Sequence, residues 1–197
     1  MTEPALVVDF LGGAVGHRFR TQGGQGNDLA RACGFGKGQV PSVIDATAGL
    51  GRDAFLLAGL GAQVTLIERS PQVRAALQAG LDAARVDEAV APVVARMTLL
   101  AGDSIALLKE MSADVVLVDP MHPPRGNTAL VKQEMRALRA LVGADPDALE
   151  LMQAALAAAR KRVVLKWPIK AAPLEGLRAA SHRIVGKTTR YDVFVVG

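Results

Sequence analysis

From Pro41 to the C-terminus, apolar runs of strand length alternate with longer stretches whose apolar residues recur at helical spacing. Val43 to Thr47 (V-I-D-A-T) is the first strand, and Phe55, Leu56 and Leu60 place a helix over Arg52 to Gly59. Gln63 to Glu68 (Q-V-T-L-I-E) is a second strand. Pro71 suits the first turn of a helix that runs to about Ala84. Asp87 to Arg96 reads as a further helix, with Pro92 inside it. Met97 to Leu100 is a third strand, closed by Gly102-Asp103-Ser104, and Ile105 to Met111 is a short helix. Val115 to Asp119 (V-V-L-V-D) is apolar up to its last residue, the pattern of a strand buried on both faces. Helices follow at about Thr128 to Leu141 and Asp147 to Ala159, then a fifth strand at Arg162 to Lys166. Arg183 to Val185 and Arg190 to Val196 are joined by G-K-T-T, short enough for a hairpin, so the sheet ends with an antiparallel strand. This alternation predicts an α/β fold, a doubly wound, mostly parallel sheet with right-handed crossovers.

Residues 1–40 differ in texture. Ala5 to Leu11 reads as a short strand, and Gly12-Gly13 and Gly23-Gly24 punctuate two turns, with Arg18 and Arg20 between them. A β-hairpin or a mobile flap is expected there. Asn27 or Asp28 caps a short helix, Leu29 to Cys33, which ends in G-F-G-K-G. Nine of the 20 glycines fall between Gly12 and Gly38, which fits a loop-rich extension on the substrate side better than a second core.

Composition narrows the class. The 197 residues are 50% hydrophobic, enough to bury the core of one domain, and the low aromatic content (4%) fits a helix-rich α/β layer. No apolar run approaches the roughly 20 residues that span a bilayer, and the N-terminus lacks the basic region and long apolar stretch of a signal peptide. Cys33 is the single cysteine; it reads as a small packed residue, with no internal disulfide, and a reducing cytoplasm is the simplest home. His17, His122 and His182 are scattered without metal-ligand spacing, so no metal is expected. The net charge of +4 is uneven: up to Asp119 there are 10 Lys and Arg against 13 Asp and Glu, and beyond it 13 against 6. The basic residues gather at Arg125 to Arg139, Arg160 to Lys170 and Arg178 to Arg190. Either a polyanion footprint or a solvated basic surface accounts for them.

The candidate chemistry sits where the predicted strands end, since doubly wound sheets bind ligands outside the carboxyl ends of their strands. Those ends are Asp45, Glu68-Arg69, Asp103-Ser104 and Asp119-Pro120. After Asp45 comes a small-residue loop, A-T-A-G-L-G, in which Gly49 and Gly51 allow close backbone approach to a ligand. Glu68 follows Gly51 by 17 residues, the usual reach of a carboxylate that accepts bonds from ribose hydroxyls. Asp103 and Ser104 lie where an adenine would be met; Asp45 and Arg52 flank the loop as partners for an amino and a carboxylate group. Asp53 reads either as an acid in the first helical turn or as a ligand contact.

G-L-G-R-D-A also fits the dinucleotide pattern G-x-G-x-x-[GA], which keeps an NAD-dependent oxidoreductase in view. Against it, Asp45 stands where an approaching pyrophosphate would be repelled, and hydride transfer has no use for Asp119-Pro120. Asp-Pro-Met-His-Pro-Pro suits methyl transfer to an exocyclic amine. A carboxylate and a backbone carbonyl that accept the two amine N–H groups favour a pyramidal nitrogen able to attack in line. Asp119 supplies the carboxylate, Pro120 a carbonyl without a competing N–H, and His122 a flat group that stacks on a flipped base. No G-x-x-x-x-G-K-[ST] is present. Trp167, in K-W-P-I-K beside Lys166 and Lys170, is either an RNA stacking surface or core packing.

These stretches together resemble a known family. D-A-T-A-G-L-G-R-D-A-F, L-I-E-R-S-P, L-V-D-P-M-H-P, A-L-V-K-Q-E-M-R and K-R-V-V-L-K look like RsmJ, the bacterial small-subunit (16S) ribosomal RNA guanine-N2 methyltransferases, and V-D-F-L-G-G-A-V-G-H-R with G-G-Q-G resembles that family's lead-in. The likeness covers nearly the whole chain. It implies a class I methyltransferase domain over 41–197 with a substrate-side extension over 1–40, S-adenosyl-L-methionine as donor, and a guanine near the 3′ end of 16S rRNA as target, with neither metal nor membrane. By motif match it implies cofactor contacts at Arg52, Asp53, Glu68, Arg69, Asp103, Ser104 and Asp119. The chain departs from the family pattern at His122, where Phe is common, and at Asp103, where the family has Ser. A methyltransferase of the same fold acting on another nucleic acid or a protein amine, and a non-catalytic RNA-binding module, are the other readings.

Overall fold

The computed structural model describes residues 6–12, 27–36, 38–121 and 146–196. Seven strands form one sheet: β1 Val43–Asp45, β2 Val64–Glu68, β3 Met97–Ala101, β4 Ala113–Val118, β5 Ala159–Pro168, β6 His182–Val185 and β7 Thr189–Val195. Their order is β3-β2-β1-β4-β5-β7-β6. The first five strands run parallel, and β7 pairs antiparallel with both β5 and β6. The chain reverses direction across the sheet between β1 and β4, the switch point at which such sheets bind ligands. The closing hairpin predicted from G-K-T-T is present, with Gly186 N–H donating to Thr189 O at 2.9 Å.

Six helices lie among the described residues: α1 Asp28–Cys33, α2 Arg52–Gly59, α3 Pro71–Arg85, α4 Ala91–Val94, α5 Ser104–Leu107 and α6 Ala148–Ala158. Three of the starts carry a side-chain cap. The Asn27 side chain accepts from Ala30 N–H, Ser70 from Val73 N–H, and Asp103 from Ile105 N–H. One face of the sheet packs Val43, Leu66, Leu117, Val164 and Val193 against α1, α2 and α3; the other packs Ile44, Ile67, Val116, Val163 and Phe194 against α6. Adjacent strand residues thus point to opposite layers.

Four local expectations change. The expected helix over Asp87 to Arg96 shrinks to α4, because the Asp87 carboxylate accepts from Ala89 and Val90 N–H (3.0 and 3.1 Å) and closes a turn. The helix expected to Met111 ends at Leu107. The fifth strand is longer than predicted, since β5 is paired on both sides and β7 accompanies it from Arg162 to Pro168. Residues 6–12 carry no strand. They lie across α2 and α3 instead: Phe10 stacks on Phe55 with ring centroids 4.8 Å apart, and a Cβ on Gly80 would come within 2.7 Å of Val8 O. A glycine in the interior of α3 is what lets this segment seat. Most of the expected N-terminal hairpin, the helix over Thr128 to Leu141, the basic group Arg125 to Arg139, and His122 lie outside the described residues.

Candidate active site

The carboxyl ends of β1, β2 and β4 and the start of α5 surround one cavity of about 280 Å³. Asp45, Gly49, Arg52, Asp53, Glu68, Arg69, Asp103, Ser104 and Asp119 all line it, with Leu50, Ile67, Ile105, Leu117, Met121 and Leu151 as its apolar surface. A parallel sheet brings the carboxyl ends of its strands to one edge, so residues as far apart in sequence as Asp45 and Lys166 meet here. Gly51 and Pro120 do not line it.

The loop after β1 is laced to its neighbours. Ala46 N–H donates to Leu117 O at 2.9 Å and Ala48 N–H to Ile67 O at 3.1 Å. Glu68 spans the glycine loop and the next helix cap: its Oε2 accepts from Gly49 N–H (2.9 Å) and its Oε1 from Ser70 N–H (2.7 Å). Gly51 caps α2 in the left-handed region (φ 69°). A Cβ there would approach Leu77 Cδ1 to 2.7 Å, so its role is close packing behind the loop. Asp103 caps α5, while the buried Ser104 hydroxyl donates to Ala46 O at 2.6 Å. The Thr47 hydroxyl accepts from Asp119 N–H at 2.7 Å, tying the first and fourth strand ends together. Arg69 reaches Asp147 across the mouth at 2.6 Å.

The electrostatic centre of the site is a set of three carboxylates and one lysine. Lys166 Nζ lies 2.5 Å from Asp53 Oδ2 and 2.8 Å from Asp119 Oδ2. Burial works against its charge, but Asp53 and Asp119 hold the ammonium well above the ordinary lysine range. Asp45 is 3% exposed. Burial pushes its carboxyl up to about 7; Asp53 and Asp119 add repulsion, opposed by the Thr47 N–H and by Lys166. An acid-rich pocket that also presents Arg52, Arg69 and Lys166 matches a ligand that carries an ammonium, a sulfonium and one carboxylate. Its apolar wall between Ile67 and Ile105 suits a purine, and Glu68 stands at the second strand end where ribose hydroxyls are bound. The residues present therefore fit S-adenosyl-L-methionine.

Lys166 and Thr47 were missed as site residues by sequence reasoning. Side-chain alternation carries the signal for Lys166: it shares the sheet face of Val164, as Asp45 shares that of Val43 and Asp119 that of Leu117. Several residues of the two described basic groups are tied to neighbours in the fold. Arg160 donates to Ser112 Oγ and Lys161 pairs with Asp114 at the opposite edge of the sheet. Arg190, 4% exposed, is bound to Asp192 and to the carbonyls of Pro168, Ile169 and Ala171. Trp167 is buried, its Nε1–H donating to Ala172 O at 2.8 Å, so packing accounts for it. Cys33 is buried too, and burial pushes its thiol above the ordinary range. Among the described residues no group of His, Cys, Asp or Glu is placed to hold a metal ion, and no helix is long and apolar enough to cross a membrane.

Sheet order, switch-point cavity and strand-end acids define a class I methyltransferase. A family model described as "Putative SAM-dependent methyltransferase" matches residues 1–196, so the chain belongs to that family and uses S-adenosyl-L-methionine. A crystal structure of a SAM-dependent methyltransferase from Neisseria gonorrhoeae superposes with a TM-score of 0.75 at 35% identity, over 96% of this chain and 74% of that one. An rRNA methyltransferase from Streptomyces viridochromogenes shares the fold at a TM-score of 0.55 and 15% identity, over 85% of this chain and 82% of that one. The particular family follows from the curated relatives. The ribosomal RNA small subunit methyltransferase J of Agrobacterium fabrum is 63% identical over 98% of this chain and 93% of its own length. That of Brucella anthropi is 64% identical over 96% and 93%. The chain belongs to the ribosomal RNA small subunit methyltransferase J family, as its motifs had implied, and the oxidoreductase reading falls.

Proposed function

We propose that this enzyme transfers a methyl group from S-adenosyl-L-methionine to the exocyclic N2 amine of a guanine near the 3′ end of 16S rRNA, in the cytoplasm. The observation that carries the proposal is the setting of Asp119. It follows directly on β4 at the rim of the cofactor-type cavity, with its backbone N–H on Thr47 and its carboxylate on Lys166. When bound, the cofactor supplies an electrophilic methyl group on a sulfonium. Asp45 and Asp53 offer acceptors for its ammonium, Lys166 and Arg52 cations for its carboxylate, Glu68 an acceptor for its ribose, and Asp103-Ser104 polar atoms for its base. Glu68 already braces Gly49, so it holds the loop and faces the ligand from one position.

The lone pair of a guanine N2 amine is delocalised into the ring, and the enzyme must favour its localisation on nitrogen. Asp119 accepts one N–H and the Pro120 carbonyl the other, which orients the nitrogen for in-line attack. His122 follows in D-P-M-H as the group proposed to stack on the base. Residues 1–40 are read as a substrate-side extension. In support, a Cβ on Gly186 in the β6–β7 turn would lie 3.2 Å from Asp28 Oδ2, so α1 starts at the cavity edge of the sheet.

Calorimetry and transfer assays on Asp119→Ala test this reading. The variant is expected to bind S-adenosyl-L-methionine and RNA while losing methyl transfer by about 100-fold or more at saturation. Transfer at the wild-type rate would show that Asp119 does not hold the amine.

A further inference from the structure

Lys166 is a long cationic side chain from β5 placed between two acids that belong to different halves of the site. Asp53 opens α2 beside the glycine loop, and Asp119 begins the segment proposed to receive the target base. Both ion pairs are partly shielded: the side chains of Lys166 and Asp53 are 24% and 12% exposed, and that of Asp119 41%. The geometry points to Lys166 as the positioning residue of the acceptor site, whose ammonium pins one oxygen of Asp119 and thereby fixes the direction in which the other is presented to the target amine. The inference rests on the reading of Asp119 as the amine acceptor.

A carboxylate at the end of a strand rotates about its side-chain torsions unless something holds it. Here the backbone of Asp119 is fixed through Thr47 and its Oδ2 through Lys166, so both ends of the side chain are tied. Lys166 also supplies the charge that lets Asp45, Asp53 and Asp119 share one corner of the cavity. Facing it are Asp53 from α2, Asp45 from the end of β1, Asp119 from the end of β4, and Tyr191, its register partner on β7. Cys33 of α1 is buried on the same face. Without the ammonium, mutual repulsion favours protonation of one of the acids. A protonated carboxyl is a donor at one oxygen and no longer a pure acceptor for the amine.

The test is a pH-resolved kinetic comparison on the full chain with 16S rRNA at saturating S-adenosyl-L-methionine. Lys166→Met keeps a similar length without the charge. It is expected to lower kcat by about 100-fold at pH 7, with the RNA KM little changed, and to move the acid limb of kcat up by about 1 to 3 pH units. Lys166→Arg keeps the charge but replaces a point donor by a planar fork. Its acid limb is expected to stay at the wild-type position while kcat falls by about 10-fold. The Arg variant also keeps the inference testable if the Met variant does not fold. Wild-type kcat in either variant, or an unmoved acid limb in the Met variant, overturns the inference. Asp119→Ala, run in parallel, separates the two levels. If it is inactive while Lys166→Met is normal, only the role of Lys166 is wrong. If it is active, the reading of Asp119 fails first.

Discussion

Gly51→Ala is the substitution whose effect the structure specifies most closely. Gly51 sits at φ 69° and ψ 14°, where an alanine pays about 1–2 kcal/mol for its Cβ. The added methyl would stand 2.7 Å from Leu77 Cδ1 and 3.3 Å from Phe10 Cζ. Leu77 is 0% and Phe10 1% exposed, so neither has room to retreat outward. Overpacking of this kind costs about 1–3 kcal/mol, giving a total of about 2–5 kcal/mol when added to the backbone strain. For a chain of this size each kcal/mol lowers Tm by roughly 2–4 °C, so the loss is large against a typical stability of about 5–15 kcal/mol. Urea unfolding measures it, and a double-mutant cycle assigns it. Leu77→Ala removes the clashing methyl but not the strain, so the double variant should be less destabilised than the sum of the singles by the overpacking share, about 1–3 kcal/mol. A single variant within about 0.5 kcal/mol of wild type, or strict additivity with Leu77, would refute this account of the loop.

Other outcomes follow from the same contacts. Asp45 is protonated in the folded protein up to about pH 7 but ionises near pH 4 when unfolded, so its burial destabilises increasingly as pH rises between those values. Asp45→Asn, which keeps an acceptor for Thr47 N–H, should therefore raise Tm at pH 8, with the gain shrinking toward pH 4 in a melting series. Thr47→Val leaves the Asp119 N–H without its partner; it should lose about 1–3 kcal/mol of stability by urea unfolding and depress methyl transfer, with Thr47→Ser restoring both. Trp167 is the single tryptophan and is buried, so its fluorescence should resist acrylamide quenching and stay unchanged when RNA is added. A stacking platform would respond to both.

What the sequence revealed and what it hid have physical causes. Asp45, Glu68, Asp103 and Asp119 were readable as one site because each follows an apolar run, and a parallel sheet gathers such ends at one edge. Lys166 ends an apolar run in the same way, but between Arg162 and Lys170 it read as one more surface cation. Only its pairing with Asp53 and Asp119, 113 and 47 positions away, shows otherwise. Arg190 was hidden for the opposite reason: a basic residue reads as exposed, yet here Asp192 and three carbonyls bind it inside the fold. Residues 6–12 carried an apolar pattern that fits a strand, and their docking over Gly80 and Phe55 depends on two partners distant in sequence. The short α4 depended on a side-chain turn at Asp87 that competes with the helix.

The central claim concerns where the methyl group goes. Incubating the enzyme with S-adenosyl-L-methionine labelled in its methyl group, and with either naked 16S rRNA or small ribosomal subunits, followed by nuclease digestion and mass mapping of nucleosides, addresses it directly. The account predicts label in N2-methylguanosine at one position near the 3′ end, present with wild type and absent with Asp119→Ala. Label in another nucleoside, or none in rRNA from either substrate, would contradict it.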